Sequence, residues 1–123
     1  MRASSVWTHP ITRARLLEEA LETVSDGVLV VDCNGLIQYA NRSACEGFGW
    51  RSLDGTYLAD LVPLDKRHKH QGGFEGFLRS PAAQSPTKVN GLHRSGDEVP
   101  IEVQVNYSRV DGEFVVTAYI RFL

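Results

Sequence analysis

Two histidines in the central basic stretch, His68 and His70, are the side chains with the clearest potential for chemistry. On a regular helix, residues two apart point about 200° away from each other, so these two cannot bind one metal ion together. Helical spacing instead places His70 on a face with two aromatic side chains. That face consists of Arg67, His70, Phe74, Phe77 and Leu78. An imidazole among apolar side chains is typical of a small-molecule pocket, and we expect this face to line one.

Three glycines interrupt this predicted helix, at Gly72, Gly73 and Gly76. Each lowers helix stability by about 1 kcal/mol relative to alanine. We therefore expect a marginal, mobile helix that lines a cavity on one side and shifts when the cavity is filled. On this reasoning the stretch is the predicted sensing element.

Catalytic motifs are absent from the sequence. It contains no G-x-S-x-G, G-x-x-x-x-G-K-[ST] or H-E-x-x-H motif, and its carboxylates are scattered without a spacing that holds two together. Cys33 and Cys45 form no C-x-x-C motif, which favours free thiols over a disulfide or a zinc site. We therefore expect a regulatory domain rather than an enzyme.

Composition and charge are those of an ordinary globular domain. The 123 residues suffice for one core, with 42% hydrophobic and 23% charged residues. A net charge of −2 gives no general attraction for nucleic acid, and the basic run from Lys66 to His70 is best interpreted as a solvated helix face. There is no apolar run of the ~20 residues that a membrane span needs, and no signal-peptide core. We expect a cytoplasmic location.

The chain divides into three predicted parts: a flexible lead at residues 1–10, an N-terminal flanking helix at 11–25, and the main folded domain at 26–123. From Thr12 onwards, apolar residues recur at helical spacing. The stripe that they form is Leu17, Ala20, Leu21 and Val24. Two partners are equally compatible with this stripe: the chain's own domain, and a second copy or a neighbouring signalling helix.

A hairpin followed by a short helix is predicted between residues 24 and 49. GVLVVD and LIQYA have strand character, and Cys33-Asn34-Gly35 between them has turn chemistry. Asn41 stands at the N-cap position of the next helix, where its side chain accepts from exposed backbone amides. Gly47 and Gly49 are expected to end that helix within about two turns.

Three further strands are predicted near the C-terminus: TKVNGLHR, EVPIEVQVNYSRV and EFVVTAYIRFL. Ser95-Gly96-Asp97 and Asp111-Gly112 separate them as hairpin turns. Two early and three late strands indicate one five-stranded antiparallel sheet, with helices covering one face, in an α+β fold.

In order and spacing, these signals resemble a PAS domain, the ligand-sensing and dimerising module of signalling proteins. The early segment follows the family pattern G-hhhhD-xxG-xIxxxN-xAxxxxFG, and RSGDEVPIEVQV at 94–105 is similar to a later strand pair of the family. The matching early residues are Gly27, Asp32, Gly35, Ile37, Asn41, Ala44, Phe48 and Gly49. The resemblance covers residues 15–121. It implies a sheet order of 2-1-5-4-3 and a ligand held between sheet and helices, where Ile120 joins the residues of the histidine face.

The resemblance also implies partners. PAS-like proteins often use the flanking helix for dimer contact, so we expect a homodimer through this helix and the sheet, and a downstream effector domain of a two-component system.

Among cofactors, the resemblance makes haem possible and flavin less so. Haem-binding relatives carry an axial histidine after a P-x-x-x-R-x-x-H run, which Pro63, Arg67 and His70 match, so His70 is the metal ligand if haem is bound. In PAS domains without haem the same residues are structural or line the pocket. Thr87 stands where oxygen-sensing relatives have a distal arginine, and VPLDKRHKHQ lacks the reactive cysteine of flavin-binding relatives. Three functions remain open: a small-ligand sensor, a haem-based sensor and a ligand-free interaction module.

Overall fold

The computed structural model describes residues 9–66 and 85–123. They form two α-helices, two short 3₁₀ helices and five strands. In chain order the α-helices and strands are α1 (Pro10–Glu22), β1 (Gly27–Asp32), β2 (Ile37–Ala40), α2 (Arg42–Phe48), β3 (Thr87–Leu92), β4 (Glu98–Val110) and β5 (Glu113–Phe122). The 3₁₀ helices are Leu58–Leu61 and Leu64–Lys66.

The flanking helix α1 begins at Pro10, two residues before the Thr12 start that the apolar spacing predicted. Proline suits the first helical position because its φ is already close to the helical value. The N–H that it lacks would also have no acceptor within the helix at that position. His9 is the N-cap residue, and its Nδ1 accepts a 3.4 Å hydrogen bond from the Thr12 N–H. Pro10 is therefore the first residue of α1 and not the last residue of the N-terminal lead.

The five strands form one antiparallel sheet in the order β2-β1-β5-β4-β3, as predicted. The first and last strands along the chain are joined at its centre, where Leu29 lies opposite Ala118 and Val31 opposite Val116. Strands β4 and β5 form a long two-stranded ribbon. It is paired from its open end, where Ile101 lies opposite Phe122, as far as the β4–β5 turn. The early hairpin and the late ribbon are therefore parts of a single platform.

The β1–β2 turn has the predicted glycine, with Gly35 at φ 82°. Asp32 organises the turn: its Oδ1 accepts from the N–H groups of Asn34 at 2.9 Å and Leu36 at 3.0 Å, and its Oδ2 accepts from the Gln38 side chain at 2.9 Å. Burial by itself raises the pKa of Asp32, but the hydrogen bonds from Leu36, Gln38 and Asn34 outweigh it, so the pKa lies below 3.8.

The core lies on one face of the sheet, between its central strands, α2 and the first 3₁₀ helix. Residues alternate between this inner face and the outer face along β5, and along β4 as far as Val105. The core cluster includes Leu29, Val31, Ile37, Ala44, Phe48, Leu53, Leu61, Ile101, Val105, Val116, Ala118 and Ile120. Gly91 in β3 lets the sheet approach α2, because a Cβ there would lie 2.7 Å from the Phe48 ring.

Helix α1 contributes no buried residue to this core. Ile11 is 70% exposed and Leu17 is 53% exposed, whereas Leu16 and Leu21 are half-buried. Within residues 9–66 and 85–123, no helix has the length and apolar character needed to cross a membrane. Apolar packing therefore holds α1 to the domain only in part.

Candidate functional site

The predicted pocket residues Arg67, His70, Phe74, Phe77 and Leu78 lie outside the described residues. Their roles, including His70 as a haem ligand, stay predictions. Within the described part of the chain, no group of three or more His, Cys, Asp or Glu side chains is arranged to bind a metal ion.

Ile120 is described, and it is a core residue with only 3% of its surface exposed. It lies on the inner face of β5, opposite Val103 of β4 and Gly27 of β1. This is the face on which the ligand pocket was predicted.

The predicted dimer stripe is on the surface of α1. Leu17 is 53% exposed, Val24 just beyond the helix end is 40% exposed, Ala20 is exposed and Leu21 is half-buried. Leu17, Ala20 and Val24 are therefore available to a partner, whereas Leu21 is partly covered by its own domain.

Asn41 connects α1 to the rest of the domain. Its side chain is fully buried and uses its full capacity of four hydrogen bonds. Oδ1 accepts from the N–H groups of Val28 at 2.9 Å and Ala44 at 3.1 Å, the second being the predicted N-cap bond. Nδ2 donates to the carbonyls of Leu21 at 2.9 Å and Asp26 at 3.0 Å. One side chain thus joins α1, the segment before β1, β1 itself and α2.

A second set of hydrogen bonds joins the same elements nearby. Glu22, the last residue of α1, accepts at Oε1 from the Tyr39 hydroxyl at 2.8 Å and at Oε2 from the Arg42 N–H at 3.0 Å. The Ser43 hydroxyl donates to the Val24 carbonyl at 2.7 Å. The C-terminal end of α1 is therefore fastened to β2 and to the start of α2 by polar contacts.

Tyr39 lies opposite Val30, on the outer side of the β1–β2 pair. Burial raises the pKa of its hydroxyl, and the hydrogen bond to Glu22 and the negative charges of Glu22, Glu18 and Asp54 raise the pKa further. The hydroxyl consequently stays protonated at any physiological pH and remains a donor to Glu22.

An open groove of about 410 Å³ lies beside this junction. Its walls are Glu22, Ala40, Arg42, Cys45, Glu46, Trp50, Arg51, Ser52 and Asp54. Burial raises the pKa of the Cys45 thiol, in spite of an opposing hydrogen bond from the Leu53 backbone. A raised pKa lowers the fraction of Cys45 that is thiolate, the reactive form of the side chain.

On the far side of α2, the β3–β4 turn is joined to the helix end. The Arg94 N–H donates to the Phe48 carbonyl at 2.9 Å, and the Arg94 guanidinium lies 4.9 Å from the centre of the Trp50 ring. Gly49 ends α2 in the left-handed conformation at φ 78°, where the His93 ring leaves no room for a Cβ. Helix α2 is thus held at both ends.

The outer face of the sheet carries polar and aromatic side chains. Glu102 and Arg121 face each other across β4 and β5, and Tyr119 beside them is 42% exposed. Together with Asp26, they border a shallow depression of about 70 Å³.

Comparison with known families identifies the fold. The family profile described as "PAS domain" matches residues 15–81, more than half of the chain. The chain belongs to the PAS domain family. The match begins at Arg15 within α1, so the C-terminal part of the flanking helix lies in the matched region.

Curated relatives of this PAS domain include a sensor protein and an uncharacterized sensor-like histidine kinase. The chain is 28% identical over 117 residues to sensor protein FixL of Bradyrhizobium diazoefficiens, covering 91% of the chain and 23% of FixL. It is 29% identical over 98 residues to the sensor-like histidine kinase ycf26 of Pyropia yezoensis, covering 76% of the chain and 14% of ycf26. The chain therefore spans less than a quarter of the length of these relatives.

Solved structures show the same PAS fold at low sequence identity. A PAS domain from a two-component sensor histidine kinase superposes with a TM-score of 0.78 at 12% identity, covering 94% of this chain and all of that one. The PAS domain of an HTR-like protein from Haloarcula marismortui gives 0.70 at 20% identity, covering 94% and 96% of the two chains.

Sequence reasoning found Asn41 only as a helix cap and missed Glu22 and Tyr39. Glu22 has the appearance of an ordinary solvated residue in the helical pattern, and its two partners are 17 and 20 residues away. No local spacing signals such contacts, because they depend on how α1 meets the sheet.

Proposed function

We propose that this chain is the sensory PAS domain of a signalling protein of the sensor histidine kinase type, and that α1 transmits the state of the domain to an effector. The family membership and the sensor proteins among its relatives support this assignment. The kinase or other effector would lie outside the chain, which spans only a fraction of those relatives.

One observation carries the proposal: α1 is fastened to the domain at its C-terminal end by hydrogen bonds, and no residue along its length is buried. Its last turn receives hydrogen bonds from Tyr39, Asn41 and Arg42. A helix held in this way moves with the sheet and offers its apolar side chains to a partner, as an output element requires.

We propose that this partner is a second copy of the chain. Burying the exposed parts of Leu17 and Val24 against an identical stripe would stabilise a dimer through the hydrophobic effect. Charge supports a self-pairing helix as well. Arg13, four residues before Leu17, lies in the first half of α1, and Glu18 lies in the second. In an antiparallel pair, Arg13 of one helix lies on the side of Glu18 of the other.

Sedimentation equilibrium across a concentration series tests the dimer. We expect a mass twice that of the 13.7 kDa chain, and a dimer dissociation constant raised at least about tenfold by Leu17→Asp. Arg15→Gln is the matched control, since it makes the same change in net charge on the opposite face of the helix. A monomer at every concentration, or equal effects of the two variants, would contradict the proposal.

For the input, we propose a small apolar or planar ligand on the inner face of the sheet near Ile120, with the predicted pocket residue His70 among its contacts. Native mass spectrometry and an absorption spectrum of the purified domain test this. A bound mass supports a ligand sensor, and the spectrum distinguishes haem or flavin from a colourless compound. A chain that never carries or takes up such a molecule would instead be a ligand-free interaction module.

A further inference from the structure

We propose that the Glu22 carboxylate is a latch, which holds α1 against the sheet when hydrogen-bonded to Tyr39 and Arg42 and releases it when these bonds break. The signalling role of this movement rests on the proposed function, but the latch itself is a property of the isolated domain. Neither the family match nor the likeness to solved PAS domains assigns a role to these residues.

The geometry makes Glu22 sensitive to movement of the domain. Its two oxygens accept from two different elements: the Tyr39 side chain of β2 at 2.8 Å, and the backbone N–H of Arg42 at the start of α2 at 3.0 Å. One carboxylate cannot follow both donors if β2 and α2 shift relative to each other. A displacement of either element consequently weakens at least one of the two bonds.

The position of α1 depends on such polar contacts. With no fully buried side chain, α1 has little of the packing that normally fixes a helix. Its 13 residues also make it marginal as an isolated helix. The remaining described bonds between its C-terminal end and the core are those of Asn41 to the Leu21 carbonyl and of Ser43 to the Val24 carbonyl. Among these contacts, only the Glu22 bonds involve a charged side chain, and charge-assisted hydrogen bonds are the stronger kind.

The latch is also accessible. Glu22 and Arg42 form one wall of the groove of about 410 Å³, so solvent or a bound group can reach the carboxylate without unfolding the core. The Glu22 carboxylate can therefore alternate between a hydrogen-bonded state and a released state, as a switch requires.

Amide hydrogen exchange on the full 123-residue chain tests the latch. In Glu22→Ala, we expect exchange of the Arg42 amide and of the α1 amides to accelerate about tenfold, the factor that corresponds to one charge-assisted hydrogen bond. Tyr39→Phe, which removes only the hydroxyl, should give a smaller acceleration at the same amides. Amides of the central strand β5 should stay within about twofold of the wild type, since local opening does not require global unfolding.

The matched control is Glu19→Ala, which makes the same substitution at an exposed position of the same helix and should leave α1 exchange unchanged. Unchanged α1 exchange in Glu22→Ala would overturn the latch. Equal acceleration in α1 and β5 would overturn it too, because it would show a general loss of stability. The same experiment in the Leu17→Asp background separates the two proposals: the acceleration should persist there, whether or not the chain dimerises.

Discussion

Replacement of Asn41 is the perturbation for which the structure makes the strongest prediction. In Asn41→Ala, helix α2 loses its N-cap, which costs about 1 kcal/mol. The buried N–H of Val28 loses its acceptor at the same time, which costs about 1–3 kcal/mol. The two partly buried carbonyls that accept from Nδ2 can be hydrated in part and add less. We expect the free energy of unfolding to fall by about 2–4 kcal/mol, a large part of the stability of a small domain.

Asn41→Asp distinguishes the connecting role of this residue from simple capping. Aspartate is as good an N-cap as asparagine, so capping alone predicts almost no change. The structure predicts otherwise, because the new oxygen would face the carbonyls of Leu21 and Asp26, where Nδ2 now donates. Unfavourable oxygen–oxygen contacts and a buried charge should make this variant at least as unstable as Asn41→Ala.

Urea denaturation followed by circular dichroism is the assay. With an m-value of about 1.5 kcal/mol/M, the midpoint should fall by roughly 1.3–2.7 M in Asn41→Ala. Asn90→Ala is the control, since Asn90 is exposed and its side chain makes a single 3.2 Å bond to Glu98; we expect a change within about 0.5 kcal/mol. An Asn41→Asp variant as stable as the wild type would refute the reasoning.

Two further predictions concern the β1–β2 turn and the C-terminal end of α2. The pKa of Asp32 in the folded state lies below its unfolded value of 3.8. Its contribution to the free energy of unfolding is therefore complete at neutral pH and is lost as the pH falls below 3.8. Measuring the free energy of unfolding over a series of acidic pH values should show this loss in the wild type and not in Asp32→Asn. Gly49→Ala should be destabilising by about 1–2 kcal/mol for the left-handed backbone, with an additional cost from the His93 ring. Gly55→Ala, at φ 81° with nothing within 4 Å of its Cβ, measures the backbone cost alone, and equal thermal midpoints of the two variants would contradict the role of His93.

Most of the fold was predictable because its signals are local. The β1–β2 turn needs a residue at positive φ, and Gly35 supplies it at 82°. The β4–β5 turn has Asp111 at φ 51° and Gly112 at φ 80°, as a tight hairpin turn requires. Alternation along β4 and β5 indicated which side chains face the core. These features depend on residues within a few positions of each other.

The junction of α1 with the sheet could not be predicted in this way. Asn41 was recognisable as a cap from its position alone, whereas its bond to the Leu21 carbonyl spans 20 residues. Glu22 and Tyr39 have ordinary roles in their own elements, and only the packing of β2 beside the end of α1 brings them to 2.8 Å.

By itself, the sequence determined the five strands, their turns, the capped helix α2 and membership of a known fold, because periodicity and turn chemistry act over short distances. Only the tertiary structure decided that α1 is left without a buried face, and that Asn41 and Glu22 fasten its end. The physical reason is that a hydrogen bond between distant residues forms only where the folded backbone brings donor and acceptor together, and no pattern along the chain records that meeting.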